Sequence, residues 1–347
     1  MTTRAFKINF TLTPIILTPI ISQLFLIMLN SYQQSFWLSK ECQNVKAKPF
    51  LKWAGGKTQL LDQMVCHFPS ELEQGKIQRY IEPFVGSGAV LFLILQHYKI
   101  RKFFISDVNE ELISAYLAVK KCVAELIAEL SRLEQKYHEL CFEDQKKFFY
   151  QIRSEFNHNR PNTDFSQPDA ERTAQLIFLN RTCFNGLFRV NAKGAFNVPC
   201  GSYKNPKICF SENLRAISDL LQNVEIRNGD FTVCETFADS NTFVYFDPPY
   251  RPISPTASFN SYQQSNFDDR SQIRLADFFR KLDGTGAKLM LSNSDPHNFN
   301  SEDNFFQTIF EGFQINRVFA RRMINCNGKG RSKISELLIT NYGEPDN

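Results

Sequence analysis

The 347-residue chain is 43% hydrophobic and 22% charged, and its 40 Lys and Arg against 36 Asp and Glu leave a formal net charge of +4. This composition excludes disordered, collagen-like and disulfide-scaffold proteins and allows a sizeable core, while so mild a positive balance points to a polyanionic partner only where the charges concentrate. The nine cysteines form no Cys-x-x-Cys pair and no Cys/His cluster at zinc spacing, which predicts reduced thiols, a cytoplasmic setting and no metal site.

Residues 8–39 carry no charge, and residues 11–29 are apolar enough to pass a crude membrane filter. Pro14 and Pro19 interrupt that run and no cleavage site follows it. Residues 1–47 are therefore expected to be an apolar extension outside the fold, with Met28 as an alternative start, and no membrane association is expected. Between 58 and 68, Leu60, Leu61, Met64, Val65 and Phe68 share one helical face. Residues 81–85 and 103–106 read as strands on either side of an apolar helix at 89–95. One long amphipathic helix is predicted over 110–137, with more helix to about residue 179. Strands resume at 224–227, 242–246, 287–291, 314–320 and 336–342, the last two flanking an Asn327-Gly328 turn. Strand-rich segments thus bracket a helical middle. The pattern predicts an α/β domain built from 48–120 and 213–347, mostly parallel and closed by a C-terminal antiparallel hairpin, with a second, mainly helical domain inserted at 121–212.

The stretch EPFVGSG, from Glu82 to Gly88, ends a strand and opens a helix. Gly86 and Gly88 permit a tight turn and close approach of a ligand to the helix N-terminus. Asp107 ends the next strand, where a nucleotide fold places the carboxylate that accepts both ribose hydroxyls. Leu91 replaces the third glycine of the dinucleotide fingerprint, which favours S-adenosylmethionine over NAD. Taken singly, these residues are equally a glycine turn and an Asp helix cap at Asp107.

The strand at 242–246 runs into Asp247-Pro248-Pro249-Tyr250 at the carboxyl edge of the sheet. The prolines stiffen the turn and leave carbonyls without amide donors, Asp247 supplies an anionic acceptor, and Tyr250 supplies a flat π surface. An aromatic amine is a poor nucleophile because its lone pair is delocalised into the ring. A carboxylate and a carbonyl that accept its two N–H bonds can aim that lone pair at a methyl sulfonium, with no metal and no covalent enzyme intermediate.

In one order along the chain stand KPFLKWAGGK (48–57), EPFVGSG, DVNEEL around Asp107, NRTCFNGLFRVN (180–191), FNVPCGSYK (196–204), DPPY and NGKGRSKISELLI (327–339). Collinearly from about residue 48 to 342, they resemble the Dam family of DNA adenine N6-methyltransferases, D12 class and α group. The resemblance implies a Rossmann-like methyltransferase sheet in the 48–120 and 213–347 halves and a target-recognition domain at 121–212. It implies S-adenosylmethionine contacted by Trp53, Lys57, Phe84, Gly86, Gly88, Asp107 and Asp247, with Asp247, Pro248, Pro249 and Tyr250 as the catalytic residues that hold the target adenine. It further implies double-stranded DNA with the adenine flipped out, Phe184 as the intercalating aromatic, Asn185 and Leu187 near the flipped site, Arg189 as a guanine reader, and Lys52, Tyr203 and Lys204 at base edges or phosphates. Arg189 has independent physical support, since its planar fork matches guanine O6 and N7. GATC is the preferred target. The enzyme is expected to be either solitary or functionally paired with a restriction endonuclease, without a stable complex.

Three positions depart from the family pattern: Phe184 where Tyr is common, Cys200 where Phe is common, and Ser202 where a basic residue is common. The first keeps a wedge but loses a hydroxyl, and the last removes a phosphate or base contact. Residues 312–335 carry Arg317, Arg321, Arg322, Lys329, Arg331 and Lys333 and no acid, a block suited to phosphate neutralisation, with Arg321 and Arg322 assigned to DNA. The competing readings are the same chemistry at another DNA site or on RNA adenine, a protein glutamine methyltransferase (disfavoured by Asp at 247), a catalytically silent DNA-binding regulator, and an NAD-dependent dehydrogenase (disfavoured by Leu91).

Overall fold

The computed structural model describes residues 46–159, 164–252, 267–320 and 334–343, all within one compact unit that runs from Lys46 to Asn347. A 3-10 turn at Lys57–Gln59 leads into short helices α1 (Leu61–Val65) and α2 (Ser70–Glu73). Strand β1 (Arg79–Glu82), helix α3 (Ala89–His97), strand β2 (Lys102–Asp107) and helix α4 (Glu110–Lys121) follow. A helical layer comes next, with α5 (Val123–Glu139), α6 (Phe142–His158), α7 (Ala170–Thr182) and α8 (Ser211–Leu221). Strands β3 (Val224–Asn228) and β4 (Thr242–Phe246), helix α9 (Asp269–Asp283), strand β5 (Lys288–Ser294), helix α10 (Phe305–Ile309) and strands β6 (Gln314–Ala320) and β7 (Ile334–Thr340) complete the order.

The strands form one seven-stranded sheet in the order β3-β2-β1-β4-β5-β7-β6. β1 to β5 are parallel, whereas β7 runs antiparallel to both β5 and β6. Parallel strands covered on both faces must be apolar throughout, and every residue of β4 (TFVYF) is buried. The phenylalanines supply much of the packing on one face, where Phe104, Phe231, Phe246, Phe278, Phe279, Phe306 and Phe310 meet Val244 and Leu289. Burial of this kind stabilises by roughly 25 cal/mol per Å² of apolar surface. Asn109, Asp169 and Asp268 cap α4, α7 and α9 by accepting the amides of Leu112, Arg172 and Ser271.

The long helix expected over 110–137 is two helices. Cys122 leaves the helical region (φ −138°, ψ 44°), with α4 packed on β2 and β3 and α5 packed on α7 and α8. Neither Gly nor Pro marks the break; tertiary packing turns the chain there. The helix expected over 58–68 contracts to the 3-10 turn and α1, and β1 ends at Glu82 because Pro83 cannot donate to the ladder. Among the described residues no helix is long and apolar enough to cross a membrane, no group of His, Cys, Asp and Glu could hold a metal, and Cys66, Cys122, Cys141, Cys183, Cys200, Cys209 and Cys234 are free thiols. The N-terminal extension and the Asn327-Gly328 turn lie outside the described residues.

Candidate active site

Strand order reverses between β1 and β4, so the loops leaving their carboxyl ends border one crevice, the position where open α/β sheets bind ligands. On the β1 side, Gly86 and Gly88 have φ of 47° and 72°. A Cβ on Gly88 would stand 2.5 Å from the Tyr116 hydroxyl oxygen, and one on Gly86 would stand 3.3 Å from Trp53 Cδ1. The Tyr116 hydroxyl in turn donates to the Gly86 carbonyl at 3.1 Å. Asn109 caps α4, which leaves the Asp107 carboxylate to accept the amides of Gly86 (Oδ2, 3.2 Å) and Asn109 (Oδ1, 3.0 Å). Burial raises the Asp107 pKa, opposed by the amides of Asn109, Gly86 and Val108. Phe84 packs against Phe231 and Phe267, with ring centroids 5.5 and 5.7 Å apart.

On the β4 side, Lys57 meets Asp247. The Lys57 side chain is 3% exposed, and its ammonium lies 2.6 Å from Asp247 Oδ1, 2.9 Å from the Gly55 carbonyl and 4.4 Å from the centroid of the Tyr250 ring. Asp247 Oδ1 also accepts the Ser292 hydroxyl at 2.9 Å, which is hydrogen-bonded to Tyr245 at 2.8 Å. Buried Gln272 donates to the Pro249 carbonyl at 3.0 Å and accepts from Asn293 at 3.1 Å. The Pro248 carbonyl accepts no hydrogen bond among the described residues. The turn is thus framed from α9 and β5, with the Asp247 carboxylate and the Tyr250 ring both against the Lys57 ammonium.

A third group of residues comes from the loops after α7. Buried Asn180 accepts the Lys52 amide at 2.8 Å and donates to the carbonyls of Lys52 (2.9 Å) and Gly186 (2.8 Å), tying the segment before Trp53 to the turn Phe184–Gly186. At that turn Asn185 has φ 56°, Phe184 is 53% exposed and Leu187 is 39% exposed. Exposed Arg189 donates through Nε to Asn197 Oδ1 at 2.7 Å. Lys52 Nζ lies 4.9 Å from the Tyr203 ring centroid, and Lys204 is exposed. Trp53 stacks on Phe188 at 5.2 Å with 19° between the rings. Arg321 and Arg322 lie outside the described residues.

The model of D12 class N6 adenine-specific DNA methyltransferases matches residues 53–324. The chain belongs to that family. It is 53% identical over 299 residues to the type II methyltransferase M.MjaIII of Methanocaldococcus jannaschii, covering 86% of this chain and 100% of that protein. It is 36% identical over 301 residues to the type II methyltransferase M1.LlaDCHI of Lactococcus lactis subsp. cremoris (86% and 97%) and 34% identical over 301 residues to the DNA adenine methylase of Escherichia coli (84% and 95%). This chain is accordingly an adenine N6 DNA methyltransferase.

Within this methyltransferase, Ser292, Asn293, Gln272, Glu336 and Phe188 touch the site or its frame although no role is legible for them in the sequence, the last two standing inside quoted motifs. Ser292 and Asn293 are buried polar residues of β5 (KLMLSNS), and a buried polar side chain demands a partner. Phe188 lies inside NRTCFNGLFRVN, but its stacking partner Trp53 is far away in sequence.

Proposed function

We propose that this methyltransferase acts within GATC in double-stranded DNA, moving the methyl group of S-adenosylmethionine directly to N6 of an adenine flipped out of the duplex. The observation that carries this reading is the convergence of Asp247 and Tyr250 on the Lys57 ammonium: the crevice already holds one N–H-bearing group between a carboxylate and an aromatic face. The target adenine makes the same two contacts, its amine donating to Asp247 and its ring stacking on Tyr250, as Lys57 turns towards the cofactor. Gln272 occupies the Pro249 carbonyl, which leaves the Pro248 carbonyl as the second acceptor. With both N–H bonds held, the nitrogen lone pair points along one direction.

The residues at the ends of β1 and β2 fit S-adenosylmethionine. Asp107 bonds one amide to each carboxylate oxygen and keeps further lone pairs for ribose hydroxyls, while Gly86 and Gly88 leave the loop bare of side chains. Trp53 and Phe188 give an apolar wall beside Gly86, Lys57 reaches the methionine end, and Phe84 supports the loop from behind. The cofactor supplies an electrophilic methyl group, so no metal is required.

On the DNA side, an exposed Phe184 held on a left-handed turn suits a wedge that fills the vacated stack, with Asn185 and Leu187 beside it. Asn197 holds Arg189 by Nε, leaving its outer nitrogens for guanine O6 and N7. Lys52, Tyr203 and Lys204 take base edges or phosphates, and Arg321 and Arg322 take phosphates. The enzyme serves either as a solitary methylase or as the modification partner of an endonuclease that cuts the same site. Expression in a host lacking adenine methylation, followed by single-molecule mapping of N6-methyladenine, tests this: modification confined to GATC is expected, and another motif overturns the roles of Arg189 and Tyr203. Asp247→Asn should lower kcat by roughly 10²–10³ while the protein stays folded; substantial retained turnover would put the chemical centre elsewhere.

A further inference from the structure

Glu336 joins the C-terminal hairpin to the target-base pocket. It lies on β7 opposite Ser294 of β5, and this pair together with the neighbouring Asn293 holds the Tyr250-Arg251 segment at its backbone and at the ring. At the backbone end, Ser294 Oγ donates to the Arg251 carbonyl at 2.7 Å and the Arg251 amide donates to Asn293 Oδ1 at 3.1 Å. At the ring end, the Tyr250 hydroxyl donates to Glu336 Oε2 at 2.5 Å. A tyrosine ring held only through its Cα can swing about two side-chain torsions, whereas a hydrogen bond at the far end fixes one orientation. Burial pushes the Tyr250 hydroxyl well above its ordinary range, so it remains a donor at neutral pH, and burial also raises the Glu336 carboxyl.

We infer that Glu336 is a positioning residue for methyl transfer, acting through the Tyr250 hydroxyl to fix the plane of the ring on which the target adenine packs. The inference rests on the reading of Tyr250 as the base-holding residue. It assigns a role in catalysis to β7, which otherwise reads as an edge-side strand of the sheet, and it explains a carboxylate beside a crevice whose substrate is itself polyanionic.

The test is a mutant cycle on the full chain, using a duplex that carries the mapped methylation motif and the same duplex with 2-aminopurine at the target adenine, whose emission reports on the stacking of the extrahelical base. Glu336→Ala should lower kcat by roughly tenfold to a hundredfold with the KM for S-adenosylmethionine unchanged. Glu336→Gln keeps an acceptor oxygen and the side-chain shape, so it should stay within about threefold of the wild type. Tyr250→Phe should match Glu336→Ala, and the double variant should lose no more than Tyr250→Phe alone, with 2-aminopurine emission altered alike in all three. Multiplicative losses in the double variant, or a Gln variant as impaired as the Ala variant, would overturn the role of Glu336. If Tyr250→Ala leaves both kcat and 2-aminopurine emission at wild-type levels, the reading of Tyr250 itself fails.

Discussion

At the scale of single residues, the crevice concentrates groups whose ionisation is set by burial. Glu82, at the end of β1, is almost fully buried and accepts the Tyr80 hydroxyl at 2.7 Å. Burial holds its pKa well above the usual carboxylate range, the nearby Asp247 charge pushes the same way, and Tyr80, the Leu91 amide and Lys57 oppose. A pKa raised on folding gives stability that is complete below the unfolded value, about 4.3, and that falls away as pH rises towards the folded value. Glu82→Gln keeps the shape and the acceptor while removing the titration. The variant should therefore match the wild type near pH 4 and exceed it by about 1 kcal/mol or more near pH 8. Urea unfolding at the two pH values checks this, and equal pH slopes in both proteins would show that Glu82 is not held neutral. Glu82 is buried against the Tyr80 hydroxyl, whereas the Asp247 side chain remains partly exposed.

At the scale of elements, the turn Phe184–Gly186 and the segment before Trp53 are mechanically joined through Asn180, and glycine makes the joint close. Gly186 has φ 64°, and a Cβ there would overlap the Lys52 side chain and lie 3.2 Å from the Asn180 carbonyl. Gly194, in the turn that follows Arg189, has φ 77° with nothing near its Cβ position. Both Ala variants pay roughly 1–2 kcal/mol for the left-handed backbone, but Gly186→Ala alone must displace Lys52 and the Phe184 turn. Its DNA affinity should fall about tenfold or more while S-adenosylmethionine binding stays intact, with Gly194→Ala close to wild type. Equal DNA binding by the two variants would show that the joint is not what positions Phe184. Most strands were legible in the sequence: β4 and β6 fall on the predicted residues, β4 because an apolar run bounded by turn residues carries its own signal. The break at Cys122 carried none, since it follows from where α4 and α5 find their packing partners. The glycine loop, Asp107 and residues 247–250 carry local motifs, and the structure places them at the ends of β1, β2 and β4. The frame of Gln272, Asn293 and Glu336 was not, because its meaning lies in contacts between α9, β5, β7 and the turn after β4.

At the scale of the whole molecule, the proposed cofactor contacts come from separate parts of one compact unit: Trp53 and Lys57 before β1, Gly86 and Gly88 after it, Asp107 at the end of β2, and Asp247 after β4. A ligand that bonds to all of these segments binds the folded chain and not the unfolded one, so mass action must raise stability. At about a hundredfold excess over Kd the gain is about 2.7 kcal/mol, a shift of a few degrees in Tm for a chain of this size. The residue roles predict how variants divide. Asp107→Ala removes the acceptor assigned to the ribose and should abolish most of the shift, beyond any loss of intrinsic stability measured without ligand. Tyr250→Phe touches only the pocket for the base and should keep the full shift, although it lowers kcat. Thermal unfolding of the three proteins with and without S-adenosylmethionine therefore tests the division between cofactor side and base side independently of any DNA. An undiminished shift in Asp107→Ala would move the ribose away from β2, and a lost shift in Tyr250→Phe would make the crevice one undivided pocket.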